Sequence, residues 1–145
     1  MNNNRARITL LIADSHSHYR KALRQLCEIN GGFRVVAEAE SGEQLFVLAQ
    51  QFQPDVLLLD AELPGLNRLD LAQRFTYRLP VLLLTLFDNP RLHAEAQQSG
   101  VLDVLPKDCD EAALFSAIVA AHTNGKPGNE PEGGTTQKTA PCTNQ

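Results

Sequence analysis

The chain has 145 residues, of which 43% are hydrophobic and 21% charged, and this length and composition predict one globular domain with its own core. A formal net charge of −4 gives no electrostatic support for binding nucleic acid, and no apolar run is long enough for a signal peptide or a membrane span. Three cysteines without CxxC spacing argue against a disulfide framework or a zinc site. We therefore expect a cytoplasmic protein that contacts neither nucleic acid nor membrane.

Five short apolar runs predict five β-strands. In chain order they are Ile8–Ala13, Phe33–Ala39, Val56–Leu59, Val81–Leu84 and Val101–Leu105. The runs at 56–59 and 81–84 are continuous rather than alternating, which is typical of parallel strands covered on both faces.

Amphipathic stretches after each run predict five helices. Their marks, in chain order, are an apolar stripe at Tyr19, Leu23, Leu26 and Cys27, a capping box at Ser41–Gln44, a stripe at Leu69, Ala72 and Phe75, a cap at Asn89–Pro90 with Gly100 as the C′ residue, and a cap at Asp110. Strand and helix alternate five times, which predicts an α/β fold, a doubly wound (βα)5 sandwich around a five-stranded parallel sheet. This domain is predicted to span residues 1–122, with residues 1–6 as a flexible start.

From Thr123 onward, Gly, Pro, Thr, Asn and Gln dominate and apolar side chains almost disappear. Such a segment cannot bury enough surface to offset its chain entropy. We therefore predict that residues 123–145 form a disordered tail.

Polar side chains follow four of the predicted strands. Asp14 and Ser15 come after the first strand, Asp60 after the third, Thr85 after the fourth, and Lys107 shortly after the fifth. In a doubly wound fold, functional groups gather at the carboxyl ends of the strands, near the point where the strand order reverses. The fold therefore predicts that carboxylates, a hydroxyl and an ammonium meet at one edge of the sheet.

These groups suit the transfer of a phosphoryl group. A carboxylate can attack phosphorus and form an acyl phosphate. A divalent cation and a lysine neutralise the charge that gathers there, and a hydroxyl donates to a remaining oxygen. Because Mg²⁺ favours one or two carboxylates together with phosphoryl oxygens and water, Asp14 and Asp60 are its expected protein ligands.

Three segments resemble the receiver domains of two-component response regulators, which have the CheY-like fold. They are IADSHSHYRKALRQLC, PDVLLLDAELPGLNRLDLA and VLPKD, and they look most like receivers of the NarL/LuxR branch. The resemblance covers roughly residues 7–122.

The resemblance assigns a role to each strand-end residue. It implies that Asp60 is the phosphoacceptor, that Asp14 belongs to the acidic pair holding Mg²⁺, and that the backbone carbonyl of Glu62 ligates the metal. It further implies that Thr85 is the switch hydroxyl and that Lys107 contacts the phosphoryl group. Pro64 and Gly65 match the turn that follows the acceptor strand in this family.

Three positions depart from the family pattern. Ser15 stands where the family has a second acid, and losing one charged ligand is worth about 1–3 kcal/mol, so we expect weakened Mg²⁺ binding. Val104 occupies the position of the switch aromatic, and Arg68 stands where glycine is common after the Pro-Gly turn. The acceptor chemistry is therefore expected to be present without its usual aromatic readout.

The resemblance implies a single-domain response regulator. It takes its phosphoryl group from a sensor histidine kinase or phosphotransfer protein and then binds a downstream protein differently, and it is a switch rather than an enzyme. A homodimer is compatible with this family. Regulators of this branch usually carry a C-terminal helix-turn-helix domain, which residues 123–145 cannot form, so we expect no direct contact with DNA from this chain.

Two alternatives stay open. Ser15, Val104 and Arg68 favour a pseudo-receiver, a protein-interaction module that works without phosphate. A flavodoxin-like cofactor binder has the same fold, but the first strand-to-helix turn (14–18) lacks the Gly/Ser/Thr-rich phosphate cradle that it needs.

Two histidines and two cysteines are expected to have structural positions and no role in the chemistry of the site. His16 and His18 are expected to be surface residues of a first helical turn, where helical geometry directs their side chains to different faces. Cys27 lies on an apolar stripe and is expected to be a small core residue, and no reactive role is expected for Cys109.

Overall fold

Five parallel strands form one sheet at the centre of the protein. The computed structural model describes residues 6–67, 74–75 and 78–124. The strands are β1 (Ile8–Ala13), β2 (Phe33–Ala39), β3 (Val56–Asp60), β4 (Val81–Thr85) and β5 (Asp103–Pro106), and the helices are α1 (Ser17–Asn30), α2 (Gly42–Phe52), α3 (Pro90–Gln98) and α4 (Glu111–Asn124). None of these helices in the described ranges has the length and apolarity needed to cross a membrane.

The order of the strands confirms the predicted doubly wound sheet. They lie in the order β2-β1-β3-β4-β5, and every pair is parallel. The order reverses between β1 and β3, which are neighbours although β2 separates them in the chain. The register pairs Ala13 with Leu59, and Asp60 with Leu84. The carboxyl ends of β1, β3 and β4 therefore meet at one edge.

The sheet is covered on both faces, as the continuous apolar runs predict. All five residues of β3 and all five of β4 are buried. Leu57 and Leu59 pack with α2 and α3 on one face, whereas Leu58 packs with α1 and α4 on the other. Each fully buried leucine contributes about 1.5–3 kcal/mol of transfer free energy, so this stack of leucines fixes β3 in the centre of the molecule.

The predicted helix caps are present. Ser41 Oγ accepts a hydrogen bond from the Gln44 backbone N–H at 3.3 Å, and Asn89 Oδ1 accepts one from the Leu92 N–H at 2.9 Å. The Gln44 side chain reaches back to the N–H of Glu40, one residue before the usual partner in a capping box. Gly100 has a φ of +85°, which is the left-handed conformation expected of a C′ residue.

Several boundaries differ from the predictions. Three strands, β3, β4 and β5, each end one residue later than predicted, at Asp60, Thr85 and Pro106. β5 begins at Asp103 rather than Val101, because the Val101 N–H donates to the Ala96 carbonyl (3.0 Å) in the turn that follows α3. The last helix continues to Asn124, past the predicted boundary at residue 122.

Several predictions fall outside the described residues. They concern the first five residues, Arg68, the stripe positions Leu69 and Ala72 of the predicted third helix, and tail residues 125–145. Phe75, the last member of that stripe, is described. It is buried and stacks on Phe46 with ring centroids 5.1 Å apart.

Candidate functional site

A buried cluster of two carboxylates and one lysine lies at the carboxyl edge of the sheet. Lys107 Nζ is 2.7 Å from Asp14 Oδ2 and 3.4 Å from Asp60 Oδ1. The side chains of all three residues are at most 4% exposed. Two carboxylates and one ammonium leave the cluster with a net negative charge in a poorly solvated site, which favours the arrival of a cation.

One oxygen of Asp60 has no partner. Asp60 Oδ1 accepts a hydrogen bond from the backbone N–H of Glu62 at 3.1 Å, in addition to its ion pair with Lys107. Asp60 Oδ2 is buried and, among the described residues, has no hydrogen-bond partner. A buried, unsatisfied carboxylate oxygen costs about 1–3 kcal/mol, so this atom is the natural point of attachment for a ligand.

The backbone and side chain of Asp14 are both held from several directions. Its carboxylate accepts a hydrogen bond from the His16 N–H at 2.8 Å, and its backbone carbonyl accepts one from Arg20 Nη1 at 2.7 Å. Arg20 is only 5% exposed, and its Nε donates to Glu38 Oε1 at 2.8 Å. Burial alone raises the pKa of Asp14, but the hydrogen bonds from Lys107 and His16 outweigh it and hold that pKa below its usual value. Asp14 is therefore ionised and available to a metal at neutral pH.

Lys107 and Thr85 are positioned together. The Lys107 backbone N–H donates to the Thr85 carbonyl at 2.7 Å, and Lys107 Nζ lies 4.6 Å from the centroid of the Tyr19 ring. Thr85 is 2% exposed, and its Oγ1 accepts from the Phe87 N–H at 3.0 Å. Because that bond uses the oxygen, the hydroxyl proton of Thr85 is left for another acceptor.

His16 also lies at the cluster, which the sequence pattern did not predict. It is the N-cap residue of α1, its Nδ1 is 2.9 Å from Asp14 Oδ1, and the same nitrogen is 3.8 Å from Asp60 Oδ2. The ring is 57% exposed, so the expectation of a surface residue is correct only for its outer part. The available signal was its position two residues after a strand-end aspartate, where an Asx turn folds the backbone back onto the carboxylate. His18 is exposed, as expected.

Two of the three positions that depart from the family pattern, Ser15 and Val104, lie within the described residues. Ser15 is exposed, and Val104 is 7% exposed and belongs to the core on the side of α2 and α3. The turn after Asp60 contains Gly65 with a φ of +79°, as its Pro-Gly sequence implies. The Gly42 N–H donates to the Pro64 carbonyl at 2.8 Å, so this turn is attached to the start of α2.

The two cysteines in the described ranges are not activated. Cys27 is fully buried, as predicted, and burial raises the pKa of its thiol to about 12. Burial first, and then the nearby carboxylates of Asp110 and Asp108, raise the pKa of Cys109. Neither thiol is a reactive thiolate at neutral pH.

The donor set at the carboxyl edge fits a divalent cation. One ligand atom each from Asp14, His16 and Asp60 lie within 4.8 Å of one another. Carboxylate oxygens suit Mg²⁺, and the unpartnered Asp60 Oδ2 supplies the buried oxygen that a cation needs.

A roomy cavity lies away from this cluster. It has a volume of about 720 Å³ and is lined by Phe46, Arg74, Phe75, Arg78 and His122, among others. Asp55 and Pro80, which also line it, precede β3 and β4, so the cavity lies at the opposite edge of the sheet from Asp60. This cavity is therefore separate from the cluster of Asp14, Asp60 and Lys107.

A model of the response regulator receiver domain matches residues 10–119 of the chain. The chain belongs to this family. It is 31% identical over 121 residues to the transcriptional regulatory protein LnrK of Bacillus subtilis (strain 168), which covers 81% of this chain and 55% of LnrK. It is 32% identical over 120 residues to the nitrate/nitrite response regulator protein NarP of Escherichia coli (strain K12), covering 81% of this chain and 56% of NarP.

Solved structures agree with this assignment. The signal receiver domain of NarL from Mycobacterium tuberculosis superposes with a TM-score of 0.77 at 27% identity, covering 83% of this chain and 99% of that domain. These similarities confirm the receiver fold and the resemblance to the NarL/LuxR branch. The chain spans about half the length of the curated relatives it matches.

Proposed function

We propose that this receiver domain accepts a phosphoryl group on Asp60 and thereby changes its binding to a downstream protein. The observation that carries the proposal is the buried, unpartnered Oδ2 of Asp60, in a cluster with Lys107 and Asp14. A carboxylate whose reactive oxygen forms no hydrogen bond keeps its lone pairs for attack on phosphorus. The donor is proposed to be a sensor histidine kinase or a phosphotransfer protein in the cytoplasm.

The proposed step is a direct displacement at phosphorus. Asp60 Oδ2 forms a bond to phosphorus, and the phosphorus–nitrogen bond of the donor's phosphohistidine breaks. The electron pair of the broken bond stays on the imidazole of the donor, which takes a proton from solvent. Lys107 Nζ, which is 3.4 Å from Asp60 Oδ1, then balances charge on a phosphoryl oxygen, and the free hydroxyl proton of Thr85 is donated to another.

Magnesium is the expected cofactor of this step. Asp14 and Asp60 would hold it, together with the backbone carbonyl of Glu62. When bound, Mg²⁺ neutralises the repulsion between the carboxylates and the incoming phosphoryl oxygens. The exposed side chain of Ser15 supplies no charge in place of a second acid, so we propose weak binding of Mg²⁺ before phosphorylation.

The proposed output is a change in the loop after Thr85. The Thr85 hydroxyl is linked to this loop through the Phe87 N–H, and Leu86 and Phe87 are both more than half exposed. A new bond from Thr85 to a phosphoryl oxygen shifts the position of its side chain and hence of that loop. A protein partner that contacts Leu86 or Phe87 would detect this shift.

Phosphoryl uptake is tested by intact mass after incubation with acetyl phosphate and Mg²⁺. We expect the wild type to gain the mass of one phosphoryl group and Asp60→Asn to gain none. Asp108→Asn, which removes an exposed carboxylate near the same edge, is the matched control and should behave as the wild type. Equal uptake by Asp60→Asn, or no uptake by the wild type at saturating Mg²⁺, would contradict the proposal.

A second candidate function is a pseudo-receiver that binds its partner without phosphate. The observation that favours it is Val104, a small core residue in place of the aromatic group that reports phosphorylation in this family. In that case Asp60→Asn would leave partner binding in cells unchanged. Loss of the cellular phenotype in Asp60→Asn would count against the pseudo-receiver.

A further inference from the structure

We propose that His16 is a third side-chain ligand of the metal at this site, and that its ring nitrogen shifts the preference of the site from Mg²⁺ toward first-row transition ions such as Mn²⁺ and Co²⁺. The inference concerns the site of the proposed function and rests on it for its biological meaning. Its chemistry depends only on metal binding and not on transfer of a phosphoryl group.

The geometry brings three donors to one point. His16 Nδ1 lies 2.9 Å from Asp14 Oδ1 and 3.8 Å from Asp60 Oδ2. One donor atom from each of these residues falls within a span of 4.8 Å. Donors that share a metal at bonds of about 2.0–2.2 Å are separated by distances of this size, so the three residues need little movement to hold one ion.

The buried oxygen of Asp60 is a second, independent sign of a ligand. Its Oδ2, the carboxylate oxygen 3.8 Å from the His16 nitrogen, has no hydrogen-bond partner and is buried. Lys107 contacts the other oxygen of Asp60 and does not satisfy this one. A cation between Oδ2 and Nδ1 would satisfy the orphaned oxygen with a stronger interaction than a hydrogen bond.

The backbone presents His16 firmly to the site. Its N–H donates to Asp14 Oδ1 at 2.8 Å, and the residue begins α1 as its N-cap without using its side chain for capping. The hydrogen bond of Nδ1 to Asp14 Oδ1 at 2.9 Å is the contact that a shared metal would replace. The ring is 57% exposed, so the proton on the remaining nitrogen can be solvated when Nδ1 binds a metal.

The donor set decides which ion is preferred. Mg²⁺ takes oxygen ligands in near-ideal octahedral geometry, whereas imidazole nitrogen suits transition ions, whose affinities rise from Mn²⁺ to Co²⁺. Ser15 removes the charged oxygen that would favour Mg²⁺, and His16 adds a nitrogen one residue later. The uncharged Ser15 and the imidazole of His16 therefore both favour a transition ion over Mg²⁺.

The test measures metal binding in the absence of any phosphodonor. Mn²⁺ is titrated into the wild type and followed by the loss of the free-ion electron paramagnetic resonance signal, Co²⁺ is followed by its visible spectrum, and Mg²⁺ is added as a competitor. The variants are His16→Ala and His16→Gln, with His18→Ala as the exposed control two residues away. Thermal unfolding in chelator verifies that each variant is folded.

We expect both His16 variants to lose about tenfold or more in affinity for Mn²⁺ and Co²⁺, while their affinity for Mg²⁺ changes by less than about threefold. His18→Ala should match the wild type. Equal losses for Mn²⁺ and Mg²⁺, or no loss for either ion, would overturn the role of His16. Binding that survives in Asp60→Asn would identify an adventitious ion only and also overturn it.

Parallel mass measurements with acetyl phosphate separate this inference from the proposed function. Phosphoryl uptake with Mg²⁺, combined with unchanged Mn²⁺ binding in the His16 variants, would refute the inference and leave Asp60 as the acceptor. Binding of Mn²⁺ that depends on His16, without uptake under either metal, would support the inference and refute the proposed function.

Discussion

Replacing Asp60 with asparagine should stabilise the metal-free protein, although it removes the proposed acceptor. The Asp60 side chain is 3% exposed, and its Oδ2 has no hydrogen-bond partner. Asparagine keeps an oxygen that can accept the Glu62 N–H bond but carries no charge. The substitution therefore removes a buried negative charge while keeping the shape of the side chain.

The size of the stabilisation by Asp60→Asn follows from opposing electrostatic contributions. The ligand atoms of Asp14 and Asp60 lie within 4.8 Å, where two negative charges repel by at least about 3.5 kcal/mol at an effective dielectric constant of about 20. The attraction that is lost, between Asp60 Oδ1 and Lys107 Nζ at 3.4 Å, is about 5 kcal/mol on the same scale. Taken together, these two effects mean that the substitution loses some net attraction. It also removes the cost of burying an ionised carboxylate, which is several kcal/mol and exceeds that loss. We expect a net gain of about 1–2 kcal/mol in the free energy of unfolding.

The assay is thermal and urea unfolding in chelator. A gain of this size raises the unfolding midpoint by about 4–8 °C for a domain of this length. Added Mg²⁺ should stabilise the wild type but not Asp60→Asn, so the gap between them should narrow as the metal is added. Asp108→Asn, at an exposed position, should stay within about 0.5 kcal/mol of the wild type. A lower midpoint for Asp60→Asn in chelator would refute the view that the metal-free site is a buried excess of negative charge.

Two further substitutions test how the site is supported. Burial opposes ionisation of Glu38, but hydrogen bonds from Arg24 and Arg20 lower its pKa, so its stabilisation is present above the unfolded-state value and lost as pH falls through the lowered folded value. Glu38→Gln should therefore cost about 2–3 kcal/mol at pH 7 by urea unfolding, and the gap to the wild type should close in acid; a gap independent of pH would contradict this. In Gly42→Ala, the new Cβ meets the Gly65 carbonyl oxygen at 2.1 Å, so the variant should lose about 1–3 kcal/mol and take up phosphoryl groups more slowly. Unchanged stability and uptake rate would show that the turn after the acceptor strand moves freely.

The sheet could be predicted because its sequence signal is local. Val56–Leu59 and Val81–Leu84 are short and apolar without interruption, which is typical of a strand that is covered on both faces. In a doubly wound sheet, the positions of Asp14, Asp60 and Lys107 at or near strand ends predict that they lie together. The structure does bring these side chains into contact. Their proposed roles in phosphoryl transfer stay predictions.

What the sequence pattern missed depends on approaches between distant segments. The close contact of Gly42 with Gly65 joins two turns that are far apart in the chain. No periodic pattern in the sequence predicts this contact. Arg20 lies one position from the apolar stripe of α1, yet it is buried because Glu38 and the Asp14 carbonyl satisfy its guanidinium. The position of His16 follows from the turn between β1 and α1, which a helical pattern cannot describe.

Arg20 anchors one side of the acidic cluster, the side formed by β1 and β2, more firmly than the side formed by the loop after β4. One buried guanidinium ties the end of β1 to α1 and, through Glu38, to β2. On the other side, the loop after β4 exposes Leu86 and Phe87 by 61% and 64%. If a phosphoryl group adds charge between these sides, we expect the displacement to occur in the exposed loop after β4 and not in the β1–β2 half, which Arg20 anchors.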